Sequence, residues 1–313
     1  MRSSLRHEFG CDRDHGGGSG HRRRDQVVPA LSVQDREVSK RLLARARTLG
    51  FAALEVTVDN AIPGRRLRDA KNGFSLPFRW TPAKLASLVA HPPGAFAWRG
   101  PAAPKLEVMA AELGLQKMDT IAELMQSQLD PSVGWEDIKW VRDAWDGPLI
   151  VKGMLDPGQV ANALEIGVDG LVISNHGGRQ LDGAAAAIDV LAEFRAQAGP
   201  DLTLLVDSGF RTGSDIARAL SLGADAVQVG RATLYALASG GEPAVRQALA
   251  ILKTEFEIAQ MLMGARSLSD FAPSMLRTRT SASTPVAGMP SSSRRAASGP
   301  LSLVAGERPA AKP

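Results

Sequence analysis

Residues 169–183 read DGLVISNHGGRQLDG, an apolar run followed at once by a polar, glycine-rich loop that carries His176 and Arg179 three residues apart. GLVI is apolar at every position, as a short strand covered on both faces should be. A histidine and an arginine just beyond such a strand sit on a loop held by a rigid base, where binding and catalytic groups concentrate. The rest of the chain shows whether other strands end in the same way.

They do. Upstream, residues 33–50 (VQDREVSKRLLARARTLG) place Val38, Leu42, Leu43, Ala46 and Leu49 on one face of a helix, and residues 52–59 (AALEVTVD) follow as a strand. Residues 135–145 read as a short helix, 148–153 (PLIVKG) as a strand, and 156–167 as a helix capped by Asp156 and stopped by Gly167. Downstream come a helix at 186–199, a strand at 202–209 (LTLLVDSG), a helix at 214–223 with Ser214 as its cap, and a strand at 225–231 (DAVQVGR). Strands alternating with helices of about 10–15 residues mean βαβ units and a parallel sheet. The strands end in Asp59, Lys152, Asn175 with His176, Asp207, and Gly230 with Arg231. A (β/α)8 TIM barrel presents its active face in this way, and that fold is expected. A doubly wound sheet is the alternative, but no G-x-G-x-x-G opens a helix after the first strand.

The barrel is expected over 27–277, between two tails. Residues 1–26 have almost no apolar content, and 278–313 are rich in Ser, Pro, Ala and Arg; both read as disordered. The alternation is interrupted at 61–134 by an insertion holding Phe74, Phe78, Trp80, Phe96 and Trp98 among Arg79, Lys84 and Arg99. Aromatics mixed with cations suit a lid over a pocket or a membrane-surface patch, and equally the packing of a small subdomain.

The net charge of +4 does not indicate nucleic acid, because residues 27–276 hold 25 basic against 28 acidic side chains and the basic excess lies in the ends. The single cysteine, Cys11, excludes a disulfide framework and fits a reducing compartment. No secretory segment or run long enough to span a bilayer is present, so the expected location is cytoplasmic, with peripheral contact at the inner face of the cell membrane through the insertion. No Cys/His cluster has metal-ligand spacing, so no metal site is expected.

The last two strand ends carry phosphate chemistry. DSGFRTGSD (207–215) supplies Gly209 for close backbone approach and Arg211 for charge ahead of a helix, and VGRA (229–232) places Gly230 and Arg231 ahead of the next. Backbone N–H groups and the helix dipole favour a phosphate at such a place, and the loops after the final strands are the frequent phosphate site of this barrel. At the other ends, His176 suits a general base because imidazole exchanges protons near neutral pH. Asp59 can orient the ring, Arg179 and Arg66 can clamp a carboxylate, and Lys152 can stabilise negative charge that develops on a cofactor ring.

These segments, with VTVD…GRRLRDAKNGF, resemble the FMN-dependent α-hydroxy-acid dehydrogenase/oxidase family over residues 34–277. The resemblance implies His176 as catalytic base paired with Asp59, and Arg66 and Arg179 on the substrate carboxylate. It implies Thr57 and Lys152 against the flavin ring, and Asp207, Gly209, Arg211, Gly230 and Arg231 on the ribityl phosphate. The reaction implied is oxidation of an (S)-2-hydroxy acid, such as L-lactate or (S)-mandelate, to the 2-keto acid. The insertion is more similar to that of the dehydrogenases than that of the oxygen-using members, which implies a quinone or cytochrome as electron acceptor; a homo-oligomer is a further expectation.

The chain departs from the family pattern at its start. Where the family has a strand ending in Gln-x-Tyr, residues 27–33 read VVPALSV, and the sole tyrosine is Tyr235. Five strands are clear and this sixth, with Pro29 in it, is degenerate. The chain as given is therefore expected to leave the barrel incomplete and to hold FMN weakly or not at all. Two readings stay open: a flavin oxidoreductase, and an impaired remnant that keeps the phosphate half of the site.

Overall fold

The computed structural model describes residues 27–30, 36–60, 62, 64–73, 81–91 and 131–277. The tails expected at 1–26 and 278–313, and Phe74, Phe78, Arg79, Trp80, Phe96, Trp98 and Arg99 of the insertion, lie outside the described residues. The elements below belong to the compact unit that ends at Leu276.

In chain order they are β1 (Val27–Ala30), α1 (Arg36–Leu49), β2 (Ala53–Thr57), α2 (Leu67–Lys71), α3 (Pro82–Ala90), α4 (Trp135–Ala144), β3 (Leu149–Met154), α5 (Val160–Ile166), β4 (Gly170–Ile173), α6 (Ala187–Ala198), β5 (Thr203–Val206), α7 (Gly213–Ser221), β6 (Ala226–Val227) and α8 (Arg231–Leu262). Helix α8 breaks at Gly240 and Gly241, whose backbone leaves the helical range, and resumes at Pro243, a residue suited to a first helical turn. No described helix is long and apolar enough to cross a membrane.

The sheet is parallel throughout, in the order β1-β2-β3-β4-β5-β6. Strand alternation sorts its side chains into two layers. Leu54, Val56, Leu149, Val151, Leu171, Ile173, Leu204 and Val206 face outward and join Leu43, Ile138, Val160, Leu191 and Phe194 of the covering helices in one core. Ala53, Ile150, Val172, Leu205 and Ala226 face inward and pack on one another.

The inward layer also proves the curvature. Gln228, just after β6, donates from Nε2 to Oε2 of buried Glu55 on β2 at 2.9 Å. In a flat sheet β2 and β6 would be four strand spacings apart, about 19 Å, beyond the reach of the two side chains. The sheet therefore curls around its inner face. Sequential strand order and this closure make it the wall of a (β/α)8 barrel, six strands of which lie among the described residues, and not a doubly wound sheet, whose order reverses. VVPALSV contributes a real strand, β1, paired to β2 in the register Val27↔Ala53 to Ala30↔Val56; Pro29 lies on the strand that has one neighbour among the described residues, where a missing N–H is tolerated.

Two details differ from expectation. Strand β6 is limited to Ala226–Val227, although the Gln228 N–H still reaches the Val206 carbonyl at 2.9 Å. The cap of α7 is Thr212, not Ser214. The Thr212 hydroxyl accepts the Asp215 N–H at 3.2 Å, and the Asp215 carboxylate accepts the N–H groups of Thr212 at 3.0 Å and Arg211 at 3.1 Å. A capping box needs an acceptor three residues on; Thr212 has Asp215 there, whereas Ser214 would have Ala217.

Burial by itself would raise the Asp215 pKa, but these N–H groups, the Thr212 hydroxyl and nearby Arg218 outweigh it and hold the carboxyl below the usual aspartate range. The folded value lies below the unfolded one, so the contribution is complete above the unfolded value and is lost as pH falls through the folded one. Asp215→Ala should cost roughly 1 kcal/mol at neutral pH, with the difference from the parent shrinking below about pH 4. Urea unfolding at a series of pH values checks this; a difference that stays constant into strong acid contradicts it.

Candidate active site

The alternation that buries apolar side chains lower in the interior brings Thr57, Lys152, Ser174, Asp207 and Gln228 to the C-terminal end of the inward series on β2 to β6. Thr57 stands in register with Lys152. Lys152 Nζ donates to the Asp207 carboxylate and, at 3.2 Å, to Ser174 Oγ. Above this level the chain leaves the strands and the loops take over.

His176 follows β4 with φ 54, a left-handed conformation unusual for a side chain other than glycine. Its N–H donates to Ser174 Oγ at 3.0 Å, and its Nδ1 lies 3.1 Å from Asp59 Oδ1. Asp59 reaches it across β3 because residue 153 is glycine. A Cβ on Gly153 would lie 2.6 Å from Asp59 Cβ and Cγ, and its φ of +105° is one that side chains rarely adopt. The register of β3 against β4 shifts at this point, between Lys152 and Met154.

Three arginines gather beside the histidine. Burial first, and then the nearby charges of Arg66 and Arg231, lower the Arg179 pKa from its ordinary value, against the opposing pull of Asp69. A guanidinium stays ionised in proteins, so the arrangement favours an anion among the three. Arg66 Nε and Asp59 Oδ2 are buried with no hydrogen-bond partner. Such groups cost about 1–3 kcal/mol each when unsatisfied, so a donor and an acceptor are held ready for a polar ligand.

A cavity of about 410 Å³ opens here, within the range of small-molecule sites. Its wall includes Lys152, His176, Arg179, Asp207, Gly209, Arg211, Gly230 and Arg231, eight of the eleven residues singled out from sequence. Asp59 joins through its contact with His176 and Arg66 through its field on Arg179. Thr57 is not on this wall.

The residues fit a flavin mononucleotide. No atom lies within 4 Å of where a Cβ would be on Gly209 or Gly230, so the backbone is open to close approach at both. Gly230 precedes the first turn of α8, and although the Thr233 and Leu234 N–H groups turn back to the Gly230 carbonyl, a helix N-terminus of this kind favours an anion. Arg211 and Arg231 supply positive charge at the same end.

Three contributors escaped the sequence reading. Ser208, at φ 75, accepts the N–H groups of Asn175 and Gly177 and donates to Asp207 Oδ1. Gln180 accepts the Gly64 N–H at 2.8 Å and donates to Asn60, tying the approach to Arg66 to the histidine loop. Gln228 meets Glu55. For the last pair a signal existed, since Glu55 is the lone charged residue in ALEVT and Gln228 the lone polar residue in AVQV, both otherwise largely apolar strand segments. For Ser208 none did, because nothing local marks a serine as left-handed.

The sequence pattern of the FMN-dependent dehydrogenase family matches residues 20–278. The chain is 36% identical over 265 residues to an L-lactate dehydrogenase of Pseudomonas aeruginosa, covering 80% of this chain and 69% of that protein. It is 39% identical over 259 residues to an L-lactate dehydrogenase of Yersinia pestis, covering 79% of this chain and 67% of that protein. Among solved structures, the monotopic membrane protein (S)-mandelate dehydrogenase superposes with a TM-score of 0.74 at 37% identity, covering 79% of this chain and 65% of that one. The chain thus spans about two thirds of the length of these relatives.

The close approach at Gly153 generates a direct test. Gly153→Ala should destabilise the fold by more than about 1 kcal/mol, through the strained φ and the collision with Asp59. It should also part Asp59 from His176. Denaturant unfolding measures the first; a variant as stable as the parent would show that Asp59 does not lie against β3.

Proposed function

Because the chain belongs to the FMN-dependent dehydrogenase family, we propose that its site oxidises an (S)-2-hydroxy acid to the 2-keto acid. The observation that carries this reading is that His176 and Arg179 line one cavity, the first paired with Asp59 and the second within the field of Arg66. When bound, FMN supplies the acceptor for the two electrons that the substrate carbon gives up. Arg211, Arg231, Gly209 and Gly230 hold its phosphate end, Asp207 its ribityl chain, and Lys152 with Thr57 the ring.

With Nδ1–H directed at the Asp59 carboxylate, the imidazole keeps its Nε2 lone pair for a substrate proton, and His176 is the base. Asp59 fixes the ring and stabilises the imidazolium that forms. Arg179 and Arg66 bind the substrate carboxylate, and their rigid geometry aims the hydroxyl carbon. Lys152 places a positive charge where negative charge develops on the ring.

The names of the relatives make L-lactate and (S)-mandelate the first substrates to test. For the electron acceptor we propose a quinone or cytochrome, reached at the cytoplasmic face of a membrane on which the protein rests peripherally. The aromatic and cationic residues of the insertion support this, as does the description of the mandelate dehydrogenase as monotopic.

Steady-state oxidation of both acids by FMN-loaded protein is the test. His176→Ala should lower kcat by about 10²–10⁴ while FMN stays bound, as removal of a positioned base does. Turnover near that of the parent would remove His176 from the mechanism.

A further inference from the structure

We infer that Ser208 is a positioning residue that holds the His176 loop to the cofactor end of the site, and that its hydroxyl, not its backbone shape, is what the site requires. The inference rests on the function proposed above. Ser208 and His176 are the two non-glycine residues at positive φ among the described residues, at 75 and 54, and they stand on adjacent strand ends. A left-handed serine is disfavoured where glycine would cost nothing, so a serine here needs a reason in its side chain.

The side chain supplies one. A hydroxyl has one proton to donate and two lone pairs to accept with, and all three are used. Oγ accepts the Gly177 N–H at 3.0 Å and the Asn175 N–H at 3.3 Å, the two amides that flank His176. It donates to Asp207 Oδ1 at 2.6 Å. The other Asp207 oxygen takes the Lys152 ammonium, Lys152 reaches Ser174 Oγ at 3.2 Å, and Ser174 Oγ accepts the His176 N–H at 3.0 Å. The contacts form a closed circuit from lysine to aspartate to serine to the histidine loop and back. Ser208 is the member that clamps the loop on both sides of His176. Without the hydroxyl the amides of 175 and 177 lose their acceptor, the loop is held by Ser174 and the Asn175 side chain, and the ring is no longer kept at Asp59.

Glycine and alanine at position 208 separate the two roles. Ser208→Gly relieves the backbone and removes the hydroxyl; Ser208→Ala removes the hydroxyl and keeps the strain. The first readout needs no cofactor. In the full chain, ring nitrogen chemical shifts of His176, assigned by comparison with His176→Ala, show which nitrogen carries the proton. The parent should show the Nδ1–H form that contact with Asp59 selects, and Ser208→Gly should show a mixture of both forms although it melts no lower than the parent. In FMN-loaded protein both variants should lose about tenfold or more in kcat with KM within about twofold, the pattern of a displaced catalytic group. A glycine variant that keeps the Nδ1–H form and the parental kcat overturns the inference. A parent that binds FMN but oxidises no hydroxy acid contradicts the proposed function instead, and the ring measurement then decides the role of Ser208.

Discussion

Asp59 and His176 are separated by 117 positions in the chain and by 3.1 Å in space, and the site depends on that contact. It spans β3, so it demands that β2, β3 and β4 lie side by side in register and that the middle strand offer no side chain where Asp59 crosses. The parallel sheet meets the first condition and Gly153 the second. Curvature adds the rest: the strand ends converge on one cavity only because the sheet curls, as the Glu55–Gln228 bond shows.

Charge is distributed along the site with a clear division. Burial first, and then the charges of Arg66 and Arg231, lower the Arg179 pKa, an arrangement that favours an anion. Lys152, by contrast, is ion-paired with Asp207, which fixes its ammonium on the cavity wall. The two orphan atoms belong to Asp59, which meets His176, and to Arg66, whose charge acts on Arg179. A site that leaves one acceptor and one donor unsatisfied beside a histidine suits a substrate carrying both a hydroxyl and a carboxylate.

Much of this was legible in the sequence because it rests on local rules. Apolar runs ended by polar residues revealed β2 to β5, and the same rule marked Asp59, Lys152, His176 and Asp207 as neighbours at one end of a barrel. Asp156 and Gly167 cap and stop their helical segment as read. What escaped is non-local or conformational. The Glu55–Gln228 bond joins residues 173 apart. Ser208 acts through a backbone angle that sequence does not announce. Ser214 is one residue into the helix because Thr212 and Asp215 form the better box. Pro29 disguised β1, which pairs all the same.

The account stands or falls on whether the assembled strand ends hold a flavin. The most direct measurement is equilibrium titration of residues 1–313 with FMN, followed by flavin fluorescence, for the parent and for Arg231→Ala. The account predicts saturable binding of one FMN per chain in the parent and a weakening of at least about tenfold in the variant, the loss expected when a charge-assisted contact of roughly 1.5–3 kcal/mol is removed. A parent that takes up no FMN, or an Arg231 variant that binds it as the parent does, would contradict the account.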